Sequence, residues 1–195
     1  MSILSDKEIK DLALNHGMIS PFEDRLVRDK EGKKVISYGL SSYGYDIRFS
    51  PKQCLIFGRP LEGDCNPKDF NRDILKPAEL HEDEHGQFFI LPPYSYCLGV
   101  AEERLCMPED VTALAIGKST YARSGILANL TPIESCWEGH LTLEISNCTG
   151  LFNRIYANEG ICQLVFFRGN PCDVTYEDRC GKYQNQPYEV VISKV

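Results

Sequence analysis

The sequence predicts a mainly β chain, a distorted barrel or jelly roll, with a capped helix at its N-terminus and a short helix at about residues 118–125. Three observations carry that reading. Helical periodicity is clear only in the opening residues. Beyond residue 17, short apolar runs recur between Gly, Pro and Asn, the spacing of a sandwich or barrel. The chain has 195 residues, 43% hydrophobic and 25% charged, enough to bury roughly 70% of its unfolded surface. No repeat, low-complexity tract or linker divides it, so 1–195 reads as one domain.

The first helix is signalled by Ser5 as N-cap and Glu8 three residues on, a capping box. Ile9, Leu12 and Ala13 then share a face, and Gly17 provides the stop. Strands are expected at 45–49, 54–57, 87–91, 96–102, 111–116, 140–147, 154–157 and 161–168. Residues 58–86 carry Pro60, Pro67, Pro77 and many acids, and read as an irregular excursion. The short helix follows a strand and starts at Lys118; Gly125 suits its end. The tail after Tyr176 is polar and loop-like, and 177–195 reads as a segment able to move as a lid.

Composition narrows the function. A net charge of -7 argues against a broad basic surface for DNA or RNA. A nucleotide ligand remains open, because charge is screened over about 8 Å and a local cation cluster decides phosphate binding. Apolar runs such as 164–167 are too short to cross a bilayer. The opening residues lack a basic region followed by an apolar stretch, so the cytoplasm is the expected location. Nine cysteines form no C-x-x-C and no disulfide framework, and read as small packing residues.

The strand at 140–147 alternates cleanly: Leu141, Leu143 and Ile145 point one way, His140, Thr142, Glu144 and Ser146 the other. On alternation alone Glu144 is a solvated acid. The Gly-Lys-Ser start of the short helix offers backbone N–H groups and Lys118 to an anion, yet it is no P-loop, since Thr112 stands where the first Gly belongs. Zinc deaminases use H-x-E with P-C-x-x-C, which His16, His81, His85 and His140 do not build. His-Glu-Asp-Glu-His at 81–85 satisfies the letters of H-E-x-x-H. It lies in an acidic stretch with no apolar helical face and no third ligand, and is read as no zinc site.

Several blocks in order carry a resemblance. They are Ser-Ser-Tyr-Gly-Tyr-Asp-Ile-Arg at 41–48, Gly-Lys-Ser-Thr-Tyr-Ala-Arg-Ser-Gly at 117–125 and Asn-Leu-Thr-Pro at 129–132. Trp-Glu-Gly-His-Leu-Thr-Leu-Glu-Ile-Ser-Asn at 137–147, Glu-Gly-Ile-Cys-Gln at 159–163 and Gly-Lys-Tyr-Gln-Asn-Gln at 181–186 follow. Together they resemble the dCTP deaminase family of the dUTPase-like superfamily of trimeric β-barrels, with the weakest coverage at 58–86.

The resemblance implies hydrolysis of dCTP to dUTP and ammonia by a homotrimer with sites between subunits. It implies Mg2+ on the triphosphate, no zinc, no metal held by side chains, and dTTP as a candidate inhibitor. Glu144 becomes the general acid/base, a role that contributes about 10²–10⁴-fold. Ser119 and Arg123 become its catalytic partners. The substrate-binding set is Lys118, Ser119, Thr120, Tyr121, Ala122, Arg123, Glu134, Thr142, Leu143, Glu144, Gln163, Tyr176, Lys182 and Gln186. A bifunctional enzyme continuing to dUMP and pyrophosphate would share Glu144. A silent nucleotide-binding barrel is disfavoured by Ser119, Arg123 and Glu144 standing together. In dUTPases the hairpin matching 131–137 carries a catalytic Asp; here it has none, and no Gly follows Lys182. Both absences favour the deaminase. Ser135 and Cys136 stand where the family more usually has Pro-Glu.

Overall fold

The computed structural model describes residues 2–58, 64–129 and 131–195. Pro60 of the irregular segment and Leu130 of the Asn-Leu-Thr-Pro block lie outside the described residues. The order is β1 (Ser2–Ile3), α1 (Asp6–His16), β2 (Ile19–Ser20), β3 (Leu26–Lys30), β4 (Lys33–Ser41) and β5 (Gly44–Phe57). After a 3-10 turn at Arg72–Ile74 come β6 (Leu75–Pro77), β7 (Leu80–Asp83), β8 (Gly86–Leu91), β9 (Tyr96–Cys106) and β10 (Val111–Gly117). Then follow α2 (Ser119–Ala122), β11 (Ile126–Ala128), β12 (Thr131–Ile133), β13 (Glu138–Asn147), β14 (Asn153–Tyr156) and β15 (Gly160–Arg168).

Helix α1 starts and stops as its sequence dictates. The Ser5 N–H donates to Glu8 Oε2 at 3.0 Å, and Gly17 ends the helix in the left-handed region at φ 68°. Ile9, Leu12 and Ala13 are its buried face. The large sheet curls through the order β11-β13-β9-β5-β15-β10-β12, and a smaller sheet runs β14-β8-β7. Strand β5 joins the two halves of the curl, pairing with β4 and β15 early and with β9 and β6 later. Its register shifts between Phe49 and Cys54, around Pro51. That bend is why the sequence reads as two strands, 45–49 and 54–57, where the chain builds one. The core lies inside the curl, with Tyr45, Phe49, Leu105, Ile145, Leu164 and Phe166 buried. A buried pair, Arg48 Nε to Glu103 Oε1 at 2.7 Å, ties β5 to β9.

Two expectations need correction. The β3–β4 hairpin was not legible, because its outer half is exposed and charged and shows no alternation. Its turn is nevertheless specific: Glu31 and Gly32 are both left-handed, at φ 53° and 78°, as a tight hairpin requires. Residues 58–86 are also not wholly irregular, since β6 and β7 fall there; both are too short to show a period.

Candidate active site

Strand β13 is the floor of a cavity of about 530 Å³. Burial alternates along the strand without a break, and Thr142 and Glu144 reach the cavity from its polar face. The 131–137 segment contributes Ile133, Glu134 and Trp137; Phe57, Phe70 and Tyr96 form an aromatic side. The tail closes the remainder with Tyr176, Lys182, Tyr183, Gln186 and Val191. Glu144 is half-buried. Its Oε2 accepts from Asn129 Nδ2 at 2.7 Å, and its carbonyl accepts from the Asn129 N–H at 2.9 Å. The first bond steers the carboxylate, and the second fixes Asn129 beside it. The cavity lining contains neither His nor Cys.

The tail has no helix or strand, as expected for a loop, yet it is docked on the body. Trp137 Nε1 donates to the Tyr183 carbonyl at 2.8 Å, and the His140 N–H donates to the Gln186 carbonyl at 3.1 Å. Thr142 Oγ1 donates to Gln186 Oε1 and accepts from the Val191 N–H, both at 3.1 Å. Gly139 makes this approach possible: a Cβ there would sit 2.5 Å from the Gln186 nitrogen. Further on, the Tyr188 hydroxyl donates to Glu102 and shares a hydrogen bond with Ser50. Its ring lies 4.5 Å from that of His140 and 4.4 Å from Lys52 Nζ. Burial, then the bond to Glu102, pushes the Tyr188 phenol up to about 12. Burial lowers His140 below its ordinary value.

Six expected residues therefore meet at one cavity: Glu134, Thr142, Glu144, Tyr176, Lys182 and Gln186. Glu134 is paired with Arg179 there, Lys182 Nζ donates to the Lys194 carbonyl at 2.7 Å, and Tyr176 Oη accepts from the Tyr183 N–H at 3.0 Å. Leu143 faces the other way, into the core, as the alternation requires.

The α2 group stands elsewhere. Lys118, Ser119, Thr120, Tyr121, Ala122, Arg123 and Gln163 do not line the cavity. The helix expected at 118–125 is a single turn, Ser119–Ala122, closed by Gly125 at φ 77°. Ser119, Thr120, Ala122 and Arg123 are exposed. Tyr121 is a core residue whose hydroxyl accepts from the Tyr156 N–H at 2.9 Å, and burial holds its phenol far above the ordinary range. Lys118 is the clearest departure from expectation. Its ammonium is paired with Asp46 and donates to Ser37 Oγ at 3.2 Å, with the side chain only 11% exposed. Burial raises the Asp46 carboxyl, against the lowering pull of Lys118. Gln163 Nε2 donates to Ser41 Oγ at 3.3 Å. The His81–His85 motif is a hairpin: His81 stacks on Phe88 at 5.7 Å, on a strand and not on a helical face.

Asn129, Trp137 and Tyr183 belong to the site without having been assigned to it. Asn129 and Trp137 stand inside the quoted blocks, which was a usable signal. Tyr183 likewise stands inside the block at 181–186, whereas Val191 and the Tyr188 anchor have no signal, because a tail without periodicity does not announce where it docks.

A family model described as dCTP deaminase-like matches residues 3–169. The chain is 48% identical over 187 residues to a dCTP deaminase of Rickettsia bellii (strain OSU 85-389), covering 95% of this chain and 96% of that one. It is 49% identical, at the same coverage, to a dCTP deaminase of Novosphingobium aromaticivorans. It is also similar in fold to the crystal structure of 2'-deoxycytidine 5'-triphosphate deaminase from Agrobacterium tumefaciens. That match has a TM-score of 0.59 and 18% identity over 86% of this chain, which spans 48% of that longer one. The mainly β, dUTPase-like architecture implied by the resemblance holds.

Proposed function

Because the chain belongs to the dCTP deaminase-like family, we propose that it hydrolyses dCTP to dUTP and ammonia, with Glu144 as the proton carrier. The observation that carries this is the placement of Glu144: a half-buried carboxylate on the β13 floor, steered by Asn129, in a nucleotide-sized cavity that the tail closes. Water adds to C4 of the cytosine. Glu144 takes the water proton and returns it to the ring nitrogen N3. The C4–N bond then breaks, and the proton left on the new C4 hydroxyl goes with the amine, so that one water is consumed and one ammonia released. Apolar walls and the docked tail exclude bulk water from the step. The aromatic side offers the base a stacking surface.

The reading is zinc-independent, which a lining with no His or Cys among the described residues supports. The residues fit Mg2+ held mainly by phosphate oxygens, a cation that keeps several waters and needs only one or two carboxylates. When bound, Mg2+ neutralises the triphosphate.

Ser119 and Arg123 do not reach Glu144's cavity within one chain, so we place them in the site of a neighbouring copy, in a homotrimer. There Ser119 would orient the water or the amine and Arg123 would stabilise developing charge. The tail is the lid, in its closed position. No helix of the described residues is long and apolar enough to cross a membrane, and the cytoplasm is the proposed location. The test is to incubate the protein with dCTP and Mg2+ and follow ammonia, dUTP, dUMP and pyrophosphate. Ammonia without pyrophosphate is expected. Equal pyrophosphate would make the enzyme bifunctional, and no product from any cytosine nucleotide would overturn the proposal. Added dTTP tests inhibition in the same assay.

A further inference from the structure

The corner at α2 holds a second cavity, of about 470 Å³, lined by Arg28 and Lys34 of the β3–β4 hairpin with Ser37, His85, Thr120 and Glu159. Triphosphate binding at α2 needs cations, and the obvious one is not free. Lys118 is turned inward onto Asp46 and Ser37. Among the described residues, Arg28 and Lys34 take part in no ion pair, and both are exposed beside Thr120.

Among the described residues one acid lines the cavity, and one negative charge does not cancel two positive ones. Glu159 is 7% exposed, and its Oε2 is occupied by the Ile36 N–H at 2.6 Å. The hairpin from Leu26 to Ser41 is basic: Arg28, Lys30, Lys33 and Lys34 stand against Asp29 and Glu31, within a chain of net charge -7. Over a screening length of about 8 Å the local cluster governs what binds, not the total. Two free cations and the hydroxyls of Ser37 and Thr120 suit a chain of phosphates, which carries several charges and many acceptor oxygens.

We propose that Arg28 and Lys34 form a polyphosphate subsite that grips the triphosphate of the nucleotide beside Thr120. This rests on the reading of α2 as the phosphate-side element of the site. A free effector polyphosphate has the same chemistry, and the experiment separates the two sources.

The experiment compares the full-length protein with R28Q/K34Q, which alters exposed hairpin residues only, and with R28K/K34R. Tripolyphosphate is the probe, by calorimetry and as an inhibitor of dCTP turnover. The expected result is competitive inhibition, with tripolyphosphate affinity and KM for dCTP each weakened at least tenfold in R28Q/K34Q, kcat changed much less, and affinity restored in R28K/K34R. Non-competitive inhibition, equally weakened in R28Q/K34Q, would keep the subsite but assign it to an effector and overturn the assignment to substrate. Equal tripolyphosphate affinity in wild type and R28Q/K34Q, or no binding to either, would overturn the subsite. The calorimetry needs no turnover. Binding lost in R28Q/K34Q by a wild type that leaves dCTP untouched would sink the proposed activity and leave the subsite standing.

Discussion

The cavity at Glu144 and the corner at α2 solve different problems with similar residues. At Glu144 the polar groups are half-buried, and the tail is held over them by hydrogen bonds through Trp137, Thr142 and Tyr188 and by the exposed Arg179–Glu134 pair, most of them neutral or solvent-screened. At α2 the polar group is a buried ion pair, Lys118 with Asp46, and the exposed cations come from a distant hairpin. Neutral hydrogen bonds contribute about 0.5–1.5 kcal/mol each and let a segment come and go. A buried pair is costly to break and fixes the element it holds. The first region is built to open, the second to stay.

Four changes would break or sharpen that contrast. Glu144→Gln should lower ammonia release by about 10²–10⁴-fold while nucleotide binding persists; an unchanged rate removes Glu144 from the chemistry. Asp46→Asn strands the Lys118 ammonium in the interior and should cost about 3–5 kcal/mol in urea unfolding; wild-type stability would show that the pair is no anchor for α2.

Tyr188→Phe keeps the ring against His140 but removes the bonds to Ser50 and Glu102. It should loosen tail docking by about 1–3 kcal/mol, read as faster proteolysis after Tyr183 and a higher KM with unfolding unchanged. Equal cleavage rates would mean that the tail is held elsewhere. The smallest effect is expected from Glu159→Gln, which still accepts from Ile36. Burial raises Glu159, so its favourable share of stability is complete below the ordinary glutamate value of about 4.3 and is lost as pH rises through the folded value. The wild type should therefore lose stability relative to Glu159→Gln between pH 4 and neutrality, in urea unfolding at each pH. Parallel curves would place Glu159 in a solvated setting.

Much of this was legible in the chain itself. Ser5, Glu8 and Gly17 specify α1 through bonds made within a few residues. The alternation of β13 announces which face carries Glu144, because a strand has no freedom to point successive side chains the same way. The β3–β4 hairpin was not legible: its outer half is exposed and charged and has no apolar face to impose a period, and burial begins only at Tyr38. Lys118 was legible as a cation but not as a buried one, since its partner Asp46 lies 72 residues away and is met only when β5 pairs with β15.

By itself the sequence determined the helix with its caps, the mainly β character, the polar face of β13 and the family. These follow from local geometry, or from residues read in order along the chain. Only the tertiary structure decided that the tail docks at Gly139, that Lys118 is consumed by Asp46, and that Arg28 and Lys34 are the cations left beside Thr120. The reason is physical. Whether a charge faces water, a partner or a ligand depends on what the fold brings within a few ångströms, and distance along the chain carries no information about that.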